Sequence, residues 1–170
     1  MAEIPGLTID EDAAEAAYEH IVGTLQAAGY EWYELANFSR PGHECRHSVS
    51  YWQARDYVGV GVGAVGTIGD ERRRNDAGLR SYIDALTRGR AAPSRIESLD
   101  ADTRRRERWM LALRLDRPMD LAWAGPPDNS DALVRLASLG LLTHDATEIR
   151  LTRAGRFLQN AVVSDLMDYV

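Results

Sequence analysis

A chain of 170 residues, 45% of them hydrophobic, can bury the core of one ordinary domain or of two small ones. Its formal charge of -6, with all 20 basic residues arginine, leaves no broad cationic surface for a phosphate backbone, so nucleic acid is a poor partner. No apolar run approaches the roughly 18 residues of a membrane span, and the start MAEIPGLTID lacks the charged and apolar regions of a secretory signal, which predicts a cytoplasmic chain.

Thr8 and Glu11 have capping-box spacing, and Ala14, Ala17, Tyr18, Ile21, Leu25 and Ala28 then recur at helical intervals until Gly29 offers a left-handed stop. The carboxylates of Asp10, Glu11 and Asp12 fall in the first turn, where the helix dipole favours negative charge, so they need no catalytic role. Residues 30–38 (YEWYELANF) read as one aromatic-rich strand, ended by Ser39-Arg40-Pro41-Gly42.

The next ten residues, HECRHSVSYW, hold two histidines and the chain's only cysteine within five positions. His43 and His47 would share a face of a helix, but Pro41-Gly42 just upstream predicts a loop. Imidazole is the commonest protein ligand for metals and haem iron, Cys45 can act as a soft thiolate ligand, and Tyr51 with Trp52 can stack on a flat aromatic molecule. Taken singly, each residue has a plainer role as a loop hydrogen-bonder, a buried thiol or a strand cover. Together they mark a candidate site.

Residues 56–70 (DYVGVGVGAVGTIGD) read as a strand in which Gly59, Gly61 and Gly63 alternate with valines, leaving room for another backbone or for a ligand. Residues 75–89 carry Leu79, Tyr82, Ile83 and Leu86 at helical spacing, and residues 90–93 (RAAP) form a connector that divides the chain into parts 1–92 and 93–170. Asp100 or Asp102 caps a helix running to about residue 115, with Trp109, Met110 and Leu113 as its buried stripe and RRRER as a solvated face. Residues 130–139 form a short helix stopped by Gly140. Two short strands flank Asp145-Ala146-Thr147, and Thr152 caps a last helix with Phe157, Leu158, Val162 and Leu166. Helix, hairpin, helix is a winged-helix-like rhythm, here a packing module because the helix at 130–139 has a single arginine. No G-x-S-x-G occurs, His20 and His144 are isolated, and no catalytic residue is assigned.

The order of YELANFSRPGHECRHSVSYW, DYVGVGVGAVG, RRRND with LRSYIDAL, and LTRAGRFLQNAVVSDL resembles the C-terminal half of the oxygen-independent coproporphyrinogen III oxidase-like radical SAM family, on the side of its haem-chaperone branch, HemW. The branch's His-Asn-x-x-Tyr-Trp motif, associated with haem, is matched by His47, Tyr51 and Trp52, with Ser48 in place of the asparagine. The resemblance implies haem or porphyrin as ligand, His47 as iron ligand, Tyr51 and Trp52 as pocket walls, and His43 and Cys45 as neighbouring haem contacts. It also implies that Gly63, Ala64 and Val65, in the stretch GVGAVG where the branch has Gly-Pro-Gly-Ala-His-Ser, lie near S-adenosylmethionine in the full family fold.

The family's [4Fe-4S] cluster needs several thiolates and this chain has one, so no independent radical chemistry is expected. The expected architecture is α+β: residues 1–92 supply the last helix-strand units of a partial (β/α) barrel, and residues 93–170 a helical, winged-helix-like domain. A capped helix near the start with no strand before it fits a segment of a longer barrel, whose N-terminal half, or a second copy, would cover the open strand faces. Two further expectations are that the haem passes to a membrane-associated acceptor, and that the chain is otherwise a structural lid with no ligand. A winged-helix nucleic-acid binder is disfavoured by the acidic balance.

Overall fold

A computed structural model describes residues 10–168; Thr8 of the expected capping box lies outside them. The chain separates into a unit ending at Cys45 and a unit running from Arg46 onward. In the first, helix α1 (Glu11–Ala27) is capped by Asp10, whose side chain accepts from the Ala13 amide, and ends at Gly29 with φ +81°. Its buried position is Val22, with Tyr18 and Leu25 half-buried, while Ala14, Ala17, Ile21 and Ala28 of the expected stripe face outward.

The single strand expected over 30–38 is instead a hairpin of β1 (Glu31–Glu34) and β2 (Asn37–Ser39). The reason is local. Glu34 is buried and turns its carboxylate onto the reversal, accepting from the Ala36 amide at 3.2 Å and from the Asn37 amide group. Trp32 fixes the hairpin by donating to Leu35 O at 3.0 Å, by stacking on Phe38 and by meeting Tyr18 edge-on at 5.9 Å.

The second unit opens with α2 (Arg46–Trp52), where a loop was expected. The long glycine strand is not formed. Residues 58–64 are a loop, Tyr57 makes an isolated bridge to Thr67, and only β3 (Val65–Ile68) is a strand. It pairs antiparallel with β4 (Glu71–Asn75), so the helix expected from 75 starts later, as α3 (Leu79–Thr87). The chain then returns as β5 (Ser94–Ser98) on the far side of β4, a strand not foreseen because its alternating residues are all exposed.

Gly59 and Gly66 explain the glycine pattern: a Cβ on Gly59 would lie 2.5 Å from the carbonyl of Val65, and one on Gly66 2.5 Å from Gly59 N. The space is taken by backbone.

The remainder follows the winged-helix order. Helix α4 (Ala101–Ala112) is capped by Asp100, which accepts from Thr103 N at 2.7 Å; β6 (Met119–Asp120) and α5 (Leu121–Ala124) follow, then α6 (Ser130–Ser138), β7 (Leu142–His144) and β8 (Glu148–Leu151), with sheet order β6-β8-β7. The last helix is broken at Leu158 into α7 (Arg153–Phe157), capped by Thr152, and α8 (Gln159–Leu166).

The core of this part is a cluster that includes Trp109, Leu113, Ile149, Val162 and Leu166. Gly155 sits where an added Cβ would be 1.7 Å from Leu141 O, a contact no side chain tolerates. Two expectations fail here. Met110 is exposed, because the stripe of α4 runs through Trp109, Ala112 and Leu113. The arginines of RRRER are not a solvated face: Arg104 bonds Glu107, and Arg105 and Arg106 both bond Asp102 and Asp128.

Candidate functional site

Residues 46–52 (RHSVSYW) form two turns of helix with no fully buried side chain. Four-residue spacing puts His47 and Tyr51 on one face of α2 and Ser48 and Trp52 on another. His47 is exposed and Tyr51 is 36% exposed, so imidazole and phenol ring stand side by side toward solvent. Trp52 turns inward: the Arg114 guanidinium lies over its ring at 4.5 Å, and its indole N–H is buried with no hydrogen-bond acceptor among the described residues. Ala54, with φ +50°, stops the helix in the left-handed region.

Tyr51 is held from both sides. Its ring meets Trp52 at 5.0 Å and Tyr57 at 5.2 Å, both edge-on. Burial, and then the neighbouring Tyr57 phenol, push the Tyr51 hydroxyl above its ordinary value, so it is a neutral phenol at neutral pH and not a phenolate. Behind the pair, a cavity of about 50 Å³ is lined by residues that include Thr67, Arg72, Arg104 and Glu107. The Glu107 carboxylate accepts from Arg72 and, at 3.4 Å, from Arg104, and the Arg72–Glu107 hydrogen bond holds the Arg72 guanidinium above its usual value. A cavity this small takes no porphyrin; ligand pockets run from about 300 Å³ upward. A flat ligand at His47 would sit on the surface.

His43 and Cys45 belong to the preceding unit, and both are exposed. The Cys45 main chain bonds the Tyr33 hydroxyl, which burial pushes up from its ordinary value. Gly63 and Ala64, in the loop before β3, spend backbone groups on residues 75 and 76, with Gly63 N donating to Asp76 O at 3.0 Å and Ala64 O accepting from Asn75 N at 2.9 Å. Among the described residues no three His, Cys, Asp or Glu side chains converge as metal ligands, and one cysteine does not fit the thiolate set of a [4Fe-4S] cluster. No helix among them is long and apolar enough to cross a membrane.

The partners of Tyr51 and Trp52, namely Tyr57, Arg72, Glu107 and Arg114, were not identified from sequence. Arg72 lies in ERRRN and Glu107 in RRRER, two charge runs whose signal was there but pointed equally to solvent.

Comparison with known proteins bears on the family and the fold. The HemN C-terminal domain family matches residues 99–158, the winged-helix-like part. The haem chaperone HemW of Mycobacterium tuberculosis is 37% identical over 158 residues, covering 93% of this chain and 40% of that protein. HemW of Bacillus subtilis is 28% identical over 152 residues, covering 85% and 40%. The solved structure of the radical SAM enzyme coproporphyrinogen III oxidase (HemN) from Escherichia coli aligns with a TM-score of 0.66 at 21% identity, over 89% of this chain and 40% of that one, which establishes a common fold. The chain thus spans about 40% of the length of these relatives. It belongs to the HemW and HemN family, whose C-terminal domain it carries.

Proposed function

We propose that the chain is a haem-binding segment of a HemW-like haem chaperone, with His47 as iron ligand, Tyr51 as the wall beside it and Trp52 as the anchor that fixes α2. One observation carries this reading: α2 presents His47 and Tyr51 on the same solvent-facing side, one turn apart, with the ring of Tyr51 immobilised by Trp52 and Tyr57. An imidazole kept for structure alone is expected to be packed or hydrogen-bonded by its neighbours. An exposed one next to a fixed aromatic ring suits a ligand that must arrive and leave.

Bound haem would supply a ferric centre for the imidazole nitrogen. The chain's own residues do the rest: Tyr51 gives the macrocycle an apolar edge, and the Arg114 stack on Trp52 keeps α2 from rotating. In the full-length protein, Gly63, Ala64 and Val65 would line the S-adenosylmethionine region, and the cluster would belong to the N-terminal half. Under this reading the chain works in the cytoplasm and passes haem to a membrane-associated acceptor. Titration with hemin should give a saturable Soret shift that is weakened at least ten-fold in His47→Ala. Identical titrations for the two proteins would remove His47 from the account.

A second reading, a docking piece without its own ligand, is favoured by the exposed valines of the glycine loop: Val58 is 70% and Val60 85% exposed. It predicts no saturable hemin binding, and a rise in melting temperature on adding the N-terminal half of a family member or on dimerisation.

A further inference from the structure

The geometry points to a second binding site, a cleft beside the end of α2, for a small organic anion with an apolar body and a single anionic head. The cleft has a volume of about 330 Å³, inside the range of roughly 300–1,000 Å³ typical of small-molecule pockets. It does not depend on the haem reading, since neither His47 nor Tyr51 lines it.

Its floor includes two nearly buried apolar side chains: Leu115 is 6% exposed and Met119 3%. Water over such a floor is displaced favourably by an apolar group. One wall is Trp123, and that wall is fixed. The Arg108 guanidinium lies over its ring at 5.7 Å and also donates to the Trp123 carbonyl. The rim carries two cations, Arg55 and Arg117, against one carboxylate, Asp120. Asp120 is already engaged, because one of its oxygens accepts from the amides of Ala122 at 2.8 Å and Trp123 at 3.4 Å as the cap of α5. Arg55 is exposed and makes no ion pair among the described residues.

An apolar floor, a clamped aromatic wall and a guanidinium without a carboxylate partner together select an anion with an apolar body over a neutral or cationic molecule. The hollow near Arg74 and Arg95 is larger, at about 480 Å³, but no large apolar side chain lines it, and it has no comparable floor.

The test uses the anionic dye 8-anilinonaphthalene-1-sulfonate and its uncharged parent, N-phenyl-1-naphthylamine, with the whole chain. The anion is expected to bind saturably at one site, to shift the amide resonances of Leu115, Met119 and Trp123, and to bind about five-fold more weakly to Arg55→Glu, a size set by reversing one exposed charge. The uncharged parent should bind Arg55→Glu and the unaltered chain alike, and His47→Ala should bind the anion as the unaltered chain does. A thermal melt of Arg55→Glu matching that of the unaltered chain keeps the comparison clean. Because the loss on Trp123→Leu reports the wall, that variant replaces Arg55→Glu should the latter not fold. Equal affinity of the anion for the unaltered chain and Arg55→Glu, or resonance shifts confined to Val58, Val60 and Val62, would overturn the proposal.

Discussion

The winged-helix-like part and the α2 segment are built on opposite plans. In the first, Trp109, Ile149 and Leu166 are fully buried, and even Arg104, Arg105 and Arg106 of α4 are tied into carboxylates. In the second, two turns of helix bury no residue completely and hold their shape through three aromatic rings and one stacked guanidinium. Dense packing gives stability that a single substitution can ruin. A thinly packed, aromatic-braced helix gives exposed side chains in fixed positions, at little cost to the fold when one is lost. On the proposed reading, the difference places stability in one region and haem chemistry in the other.

The strongest way to break that contrast is in the core. Trp109→Ala removes a ring at the centre of the cluster together with its hydrogen bond to Gly125 O, and should cost about 3–5 kcal/mol. Gly155→Ala forces a methyl group into Leu141 O and should cost at least as much as ordinary overpacking, about 1–3 kcal/mol. Urea unfolding followed by far-UV circular dichroism measures both. At the loop beside α2, Gly59→Ala should cost a similar 1–3 kcal/mol or so, through its clash with the Val65 carbonyl. If it were silent, the close approach of the two backbone segments would not matter to the fold.

The contrast is sharpest at His47. His47→Ala should change stability by less than about 0.5 kcal/mol, as for an exposed residue away from caps and ion pairs, while abolishing most hemin binding. Ala54→Gly should stabilise slightly, by about 0.5–1 kcal/mol, by relieving the left-handed strain after α2.

Acid should separate the regions as well. Hydrogen bonds from Thr103, Arg105 and Thr147 hold Asp100, Asp102 and Asp145, respectively, below the usual carboxylate range, and Ser81 does the same for Asp76. A carboxylate lowered in the folded state contributes stability above its unfolded value, near pH 4, and loses it as the pH falls through the folded value. Melting temperatures should therefore fall below about pH 4. Three of the four groups lie between residues 100 and 145 and none lies in α2, so replacing Asp100, Asp102 or Asp145 by its amide should reduce this acid dependence.

Much of this was legible in the sequence. Caps at Asp100 and Thr152 and the glycine stop at Gly140 follow from local chemistry, and they stand where spacing put them. So did the winged-helix rhythm, because each hairpin and helix there is bounded by its own turn residues. What was lost lay in tertiary context. Residues 30–38 alternate like a strand, and only the inward turn of Glu34 shows why they reverse. The strand at 94–98 has no buried face to leave a hydrophobic pattern. The valine-glycine alternation mimics a strand although the glycines serve a backbone crossing.

At the candidate site, the spacing of His47, Tyr51 and Trp52 was readable, and so were the two charge runs. That Arg72 and Glu107 meet behind Tyr51 depends on β4 and α4 coming together, which no local spacing encodes.

Resonance Raman spectroscopy of the ferrous haem complex asks the central question most directly, since an iron–histidine stretching band reports the ligand itself. The account predicts that the band is present in the unaltered chain and in His43→Ala and absent in His47→Ala. A band that persists unchanged in His47→Ala would contradict it.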